Sequence, residues 1–139
     1  MIVKNNKGFT LVETIAVIII LGVILSIAVP SITNVVKSTN KNRMISDAET
    51  FASKAKEMYE SDTIGIDIIN KSLKEITELG KSPFGKEYCT KDSTVICRND
   101  EENKIVTCNV ALKDENGNQV KITNGKVDFS TGNGGCLNG

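Results

Sequence analysis

The sequence predicts an α+β protein in which one long amino-terminal helix packs, by its carboxy-terminal half, on an antiparallel sheet of about four strands. An uncharged apolar run follows Glu13 and continues into an amphipathic pattern that ends near Ser61. Short apolar or alternating segments, separated by polar turn residues, follow Pro83. Of the 139 residues, roughly a hundred remain once the apolar run is set aside, which is enough for one soluble domain.

The first half of the predicted helix is long and apolar enough to cross a membrane. No charged residue occurs between Glu13 and Lys37, and a helix of that length crosses a hydrocarbon core of about 30 Å. Gly22 and Pro30 weaken this helix, because glycine lowers helix propensity and proline lacks the backbone donor. We therefore predict a helix over residues 9–61 whose weakest part lies between Gly22 and Pro30.

A short basic segment precedes the apolar run. Residues 1–8 carry Lys4 and Lys7, which the positive-inside rule places on the cytoplasmic side, so that the remainder of the chain is exported. Glu13 stands at the start of the run, where an ionised carboxylate deep in lipid would cost roughly 2.5–3.5 kcal/mol. We expect it to face a cation, and the nearest candidate is an amino terminus freed by cleavage.

The hexapeptide Gly8-Phe9-Thr10-Leu11-Val12-Glu13 resembles the processing site of type IV pilins and type II secretion pseudopilins. The resemblance extends over about residues 4–36 and includes the basic leader, the uncharged run and Pro30. It implies that a prepilin peptidase cleaves between Gly8 and Phe9 and that the new amino group of Phe9 is methylated. It also implies that Glu13 neutralises the Phe9 amine of an adjacent subunit during filament assembly.

The same resemblance divides the chain into three parts and implies where each part lies. Residues 1–8 would be a cleaved leader, residues 9–32 the transmembrane and assembly half of the helix, and residues 33–139 an extracellular head with the type IV pilin fold. The precursor would be a single-pass membrane protein with a cytoplasmic amino terminus. After assembly the subunit would belong to a homo-oligomeric surface filament, in which the Gly22 to Pro30 region partly unwinds.

Hydropathy alone is consistent with other interpretations. An ordinary secretory signal peptide has a shorter apolar core, a small-residue cleavage site after it and nothing acidic inside, so it does not fit this segment. A non-assembling single-span anchor, in which Glu13 is incidental, stays open, and so does a pseudopilin of a type II secretion or competence system. We prefer a structural pilus subunit, with adhesion, motility or DNA uptake as possible outputs.

Beyond Pro30 the predicted helix becomes amphipathic. Apolar residues recur three and four positions apart and form a stripe that we expect to pack on the sheet. The stripe consists of Met44, Ile45, Ala48, Phe51, Ala52, Ala55, Met58 and Tyr59. A short second helix is predicted over residues 67–79, with Asp67 as its N-cap and Gly80 as its stop signal.

Strand-like segments occupy residues 87–130, after a turn at residues 82–85. The predicted strands are residues 87–90, 94–98, 105–112, 120–123 and 127–129. The buried face of the central strand is predicted to be Val106, Cys108, Val110 and Leu112. Asn124-Gly125, between the last two segments, is a strong signal for a two-residue hairpin.

The four cysteines are Cys89, Cys97, Cys108 and Cys136. An even set in an exported domain favours two disulfides, for which three connectivities exist. Zinc is the alternative, although its cysteines usually come in close pairs and the gaps here are seven, ten and twenty-seven residues. We expect Cys89–Cys97 across a hairpin and Cys108–Cys136 holding the glycine-rich tail, which has no apolar anchor except Leu137.

The composition gives no support for an enzyme or for a nucleic-acid partner. The chain has no His, no glycine-rich phosphate loop and no nucleophile motif. Basic and acidic residues number 17 each, and loss of Lys4 and Lys7 leaves 15 against 17, a net charge near −2. Residues 114–118 resemble the opening of a calcium loop but lack its sixth-position glycine and distal glutamate. We therefore expect a hairpin turn there and no cofactor, with calcium bound at Asp114 to Asn118 as the alternative.

Overall fold

The computed structural model describes residues 8–61, 71–78 and 80–137. The described chain divides into two units, the first ending at Ser38 and the second beginning at Thr39. The elements are α1 (Leu11–Ser61), β1 (Lys71–Ser72), α2 (Leu73–Ile76), β2 (Thr94–Asp100), β3 (Ile105–Lys113), β4 (Asn118–Thr123) and β5 (Lys126–Thr131). This is the predicted α+β architecture, a long helix packed on an antiparallel sheet.

The first unit is an apolar helical segment, and all of its described residues are exposed except the half-buried Ala28. The sequence predicted a helix from Phe9, but α1 begins at Leu11. It runs without a break through Gly22 and Pro30. Hydroxyl groups in this region bond to backbone carbonyls of the preceding turn, as Ser26 Oγ does to Val23 O at 2.7 Å. The partial unwinding of the Gly22 to Pro30 region was predicted for the assembled filament, and it stays a prediction.

The core of the second unit lies between α1 and the sheet. Met44, Ala48, Phe51 and Ala55 of α1 are completely buried, and their spacing of four, three and four residues puts them on one helical face. The opposing sheet residues are Val95, Val110, Leu112, Val120 and Ile122. These contacts confirm the predicted stripe, of which Met58 is the exposed edge at 38 % accessibility.

The sheet is a meander with the strand order β1-β2-β3-β4-β5, and every pair is antiparallel. Four of the strands have six to nine residues, which agrees with the predicted sheet of about four strands. β1 adds a strand of two residues at one edge. Val110 and Leu112 of β3 are buried, while Val106 and Cys108 on the same face pack half-buried on the core. β4 and β5 join through Asn124-Gly125, with φ angles of 50° and 77°, and Thr123 pairs with Lys126. The predicted two-residue hairpin is therefore confirmed.

Two predicted elements differ in the structure. Residues 87–90 do not form a strand, because only Tyr88 pairs, with Asp114, before the chain turns. The turn is closed by the Ser93 N–H, which donates to Cys89 O at 3.0 Å. Among the described residues of the helix predicted over 67–79, only α2 is helical, since Lys71–Ser72 pair with β2 instead. Residues 67–70 and 79 lie outside the described residues.

The disulfides are Cys89–Cys136 and Cys97–Cys108, and the described chain contains no free cysteine. Two bridges were expected, but the expected pairing was wrong. Cys97 and Cys108 lie directly opposite each other in the β2–β3 ladder, with Cα atoms 4.0 Å apart. Cys89 lies beyond the end of that ladder, because the strand proposed for residues 87–90 does not form, and it is left to bridge the tail.

Asp114 organises the turn between β3 and β4. Its buried carboxylate accepts hydrogen bonds from the backbone N–H groups of Asn116 and Asn118, at 3.0 and 2.9 Å. The Asn118 side-chain amide donates at 3.0 Å and the Ser82 hydroxyl at 2.8 Å. Residues 114–118 thus form the hairpin turn that the sequence favoured over a calcium loop, and N–H and O–H donors occupy both carboxylate oxygens.

The tail after β5 is strapped across this turn. The Gly132 N–H donates to Gly117 O at 2.8 Å, and a Cβ on Gly117 would lie 2.2 Å from Gly132 O, so that only glycine fits there. Lys113 Nζ donates to Gly135 O at 3.0 Å and contacts Asp92 Oδ2 at 3.2 Å. With the Cys89–Cys136 bridge, these contacts fix a segment that has no regular structure of its own.

Candidate processing and assembly site

The amino-terminal site is built on a helix cap formed by Thr10 and Glu13. The Thr10 hydroxyl accepts a hydrogen bond from the Glu13 backbone N–H at 3.3 Å, and Glu13 Oε2 accepts one from the Thr10 backbone N–H at 3.0 Å. A third bond joins the Thr10 hydroxyl to the same carboxylate oxygen at 3.2 Å. This reciprocal pattern is a capping box, in which two otherwise unpaired donors of the first helical turn are satisfied.

The cap explains why α1 begins at Leu11. Thr10 is the N-cap residue and Glu13 the third residue of the helix, so Phe9 lies outside the helix and is 91 % exposed. The carboxylate is also close to the positive end of the helix dipole, which stabilises a negative charge in the first turn. Glu13 therefore has a local structural role that its negative charge strengthens.

The carboxylate of Glu13 is only partly used. Oε2 accepts both bonds from Thr10, whereas Oε1 accepts none from the described part of the chain. Glu13 and Lys37 are the charged residues among the described residues of the first unit. An exposed carboxylate oxygen that has no partner among the described residues can accept a hydrogen bond from an external cation.

Gly8 shows no structural requirement for glycine within the described residues. A Cβ placed on Gly8 would meet no atom within 4 Å, and its φ is not in the left-handed region. Gly8, Phe9, Thr10 and Glu13 line one shallow concavity. The fold of the described chain would thus accept a side chain at position 8, and a requirement for glycine would have to come from a molecule that binds there.

The helix that follows the site is exposed throughout its apolar part. None of its most apolar stretch is buried in the described structure. By length and composition this helix is able to cross a membrane. Such an apolar surface is unstable in water, so lipid or other protein chains have to cover it.

Comparison with known proteins identifies the same segment. Residues 3–29 match the family model described as the prokaryotic N-terminal methylation motif. That motif is the class III signal peptide of type IV pilins and pseudopilins. The match, the exposed apolar helix and the two disulfides together are those of a pilin-like precursor. No solved structure matches the chain.

Gly8, Phe9 and Glu13, which the sequence had indicated, line the same concavity, and the structure adds Thr10, which had been missed. The signal for Thr10 was present in the sequence, because Thr-x-x-Glu before an apolar run is the pattern of a capping box. The sequence had indicated only an intermolecular role for Glu13. Gly22 and Pro30 lie farther along α1 and take no part in the cap.

Proposed function

We propose that the chain is a structural subunit of a type IV pilus, with no catalytic activity of its own. It is inserted in the membrane as a precursor with its amino terminus in the cytoplasm, cleaved by a prepilin peptidase between Gly8 and Phe9, and methylated on Phe9. The processed subunits then polymerise through α1 into a surface filament. The observation that carries this proposal is the methylation motif over residues 3–29, whose apolar helical part, from Leu11 onward, is not buried in the described structure.

The exposed helix supports assembly because its apolar side chains have no partners within the described chain. Before assembly, lipid covers them and the segment anchors the precursor. In a filament, the same side chains of neighbouring subunits cover one another, so extraction from the membrane exchanges lipid contacts for protein contacts. A soluble, non-assembling product would leave this surface in water.

The arrangement of the first turn supports a role for Glu13 between subunits. After cleavage the Phe9 ammonium lies next to the helix N-terminus, where the helix dipole is unfavourable for a positive charge. Glu13 of the same chain already gives Oε2 to its own cap, while Oε1 accepts no bond from the described residues. We infer that Oε1 receives the Phe9 ammonium of a neighbouring subunit. In a medium of low dielectric constant this attraction is stronger than in water, although part of it offsets desolvation.

A comparison of Glu13→Ala with Glu13→Gln separates this role from helix capping. Glutamine still accepts the hydrogen bond from the Thr10 N–H and fits a capping box, but it carries no charge. If pairing with the ammonium governs assembly, both variants are processed and accumulate in the membrane, and both give little sheared filament. Filament yield from Glu13→Gln at the wild-type level would show that capping is sufficient. Wild-type yield from Glu13→Ala as well would make Glu13 incidental and favour the plain anchor.

Processing is tested separately by the intact mass of the mature subunit. We expect loss of residues 1–8 and the addition of one methyl group on Phe9. Gly8→Ala should be cleaved poorly and Gly8→Val hardly at all, although an added side chain meets no described atom in the precursor. A mature chain that begins elsewhere would contradict the proposal. Imaging of sheared fractions then distinguishes long pili from the short filament of a secretion or competence pseudopilin.

A further inference from the structure

The sequence contains four Asn-Gly pairs, of which Asn116-Gly117, Asn124-Gly125 and Asn133-Gly134 lie in the described chain. Asn-Gly is the dipeptide most prone to spontaneous deamidation, because glycine offers no side chain to block attack by its own backbone nitrogen. We propose that Asn133 is a deamidation site of the folded protein and that the fold protects the other two described pairs. The modification changes a side-chain amide into a carboxylate without an enzyme.

The reaction needs a free glycine nitrogen and a mobile asparagine. The backbone nitrogen of Gly134 loses its proton and attacks Cγ of Asn133, and the side-chain amide leaves as ammonia. The five-membered succinimide that remains is opened by water at either carbonyl, which gives aspartate or isoaspartate. Ring closure requires rotation about the Cα–C bond of the asparagine, so hydrogen bonds that fix this rotation or hold the glycine N–H slow the reaction.

Asn116-Gly117 is held on both sides. Gly117 is buried, and its N–H donates to Asp114 O at 3.0 Å. The Asn116 backbone N–H donates to Asp114 Oδ1 at 3.0 Å, and its side-chain amide reaches Phe84 O at 3.5 Å. The nucleophile is thus occupied and the asparagine is tied to the turn, so reaction there requires the β3–β4 turn to open.

Asn124-Gly125 is exposed but forms the turn that joins the paired strands β4 and β5. Thr123 and Lys126 pair directly across the two-residue turn, and the Asn124 N–H donates to Asn109 Oδ1 at 2.9 Å. Rotation about the Asn124 Cα–C bond would separate the paired residues on its two sides. This pair therefore reacts only when the end of the β4–β5 hairpin frays.

Asn133-Gly134 has neither form of protection. Both residues are exposed and follow the last residue of β5. Within the described residues, neither the Asn133 amide nor the Gly134 N–H takes part in a hydrogen bond. The neighbouring bonds, from Gly132 to Gly117 and from Lys113 to Gly135, lie on either side and involve neither the Asn133 side chain nor the Gly134 N–H.

Deamidation would change the backbone of the tail after β5 as well as its charge. Isoaspartate adds one backbone carbon between two anchors, Gly132 and Gly135, that are only three residues apart. The bond from Lys113 Nζ to Gly135 O, at 3.0 Å, should then lengthen or break, whereas the Cys89–Cys136 bridge still keeps the tail on the head. An exposed filament that is not renewed would accumulate this change with age.

The test follows the mature full-length protein in detergent at physiological temperature and mildly alkaline pH. An Asn138→Gln background removes the fourth pair, which lies outside the described residues. Peptide mapping by tandem mass spectrometry gives the rate at each asparagine, and enzymatic methylation of isoaspartate identifies the product. We expect Asn133 to react roughly tenfold or more faster than Asn116, because a protected pair reacts only from locally opened states. Asn124 should react at an intermediate rate.

Two controls make the result specific to the fold. In the reduced, denatured protein the three asparagines should react at similar rates, since they share the same following residue. Asn133→Gln should remove the product at position 133 and leave the rates at Asn116 and Asn124 unchanged. Equal rates in the folded protein, or a folded protein in which Asn116 or Asn124 reacts first, would overturn the proposal.

Discussion

Replacement of Asp114 by alanine should destabilise the second unit by about 3–5 kcal/mol. Three of the four donors to its carboxylate belong to the buried residues Ser82 and Asn118, and a buried donor without a partner costs about 1–3 kcal/mol. We expect a loss near the lower end of the combined cost of these three donors, because the alanine leaves space in which water can replace some of the bonds. Such a loss is a large share of the 5–15 kcal/mol typical of a domain.

Urea unfolding of the full chain in detergent measures this loss. The chain has no Trp, so the fluorescence of Tyr59 and Tyr88, both in the second unit, reports on its unfolding. Glu115→Ala is the matched control, because Glu115 is the exposed neighbour and should change stability by no more than about 0.5 kcal/mol. If Asp114→Ala loses less than about 1 kcal/mol, the carboxylate does not organise the turn. Stabilisation of the wild type, but not of Asp114→Ala, by added calcium would instead support the calcium loop.

Three further predictions concern the second unit. Phe51→Ala should cost about 3–5 kcal/mol in the same urea assay, because Phe51 is completely buried; a loss below about 1.5 kcal/mol would place it outside the core. Tyr88→Phe should cost about 1 kcal/mol, because it removes the bond from the Tyr88 hydroxyl to Asp47 Oδ2 at 2.5 Å; unchanged stability would mean that water replaces this bond. The hydrogen bond from the Leu137 backbone N–H lowers the pKa of Asp92, and the nearby Lys113 lowers it less strongly. Stabilisation by this carboxylate is therefore complete above its unfolded pKa of about 3.9 and is lost as the pH falls through the lower folded value. The Leu137 amide resonance should shift in that acidic range in an NMR titration, and a shift near neutral pH would contradict the assignment.

The elements that the sequence predicted correctly are those fixed by local physics. The uncharged run after Glu13 permits only a helix in an apolar medium, because every backbone group has to be satisfied within the segment. Asn124-Gly125 gives a two-residue turn because asparagine and glycine tolerate the positive φ angles that the turn requires. In both cases a few adjacent residues determine the structure.

The errors concern contacts between residues that are distant in the sequence. The disulfide pairing depended on where β2 turns into β3, and the four-residue turn after Asp100 places Cys97 opposite Cys108. The sequence showed only a broad polar divider there, so its centre was ambiguous. β1 was missed because two residues carry no periodic pattern and pair with a strand more than twenty positions away. The role of Thr10, in contrast, could have been predicted, since the capping-box pattern involves only residues that are close in the sequence.

The Cys89–Cys136 bridge determines how the protein responds to mechanical tension. A pull on the chain beyond Cys136 passes through the sulfur atoms directly to Cys89, and β2, β3, β4 and β5 all lie inside the closed loop. The bridge spans 47 residues, so it withholds roughly 160 Å of extension that an unbridged chain would release when pulled straight. The Cys97–Cys108 bridge lies within that loop and carries no tension while the outer bridge is intact. Strands β2 to β5 are therefore shielded from forces applied at the tail. Reduction of the Cys89–Cys136 bond would remove this protection and let the chain extend under the same force.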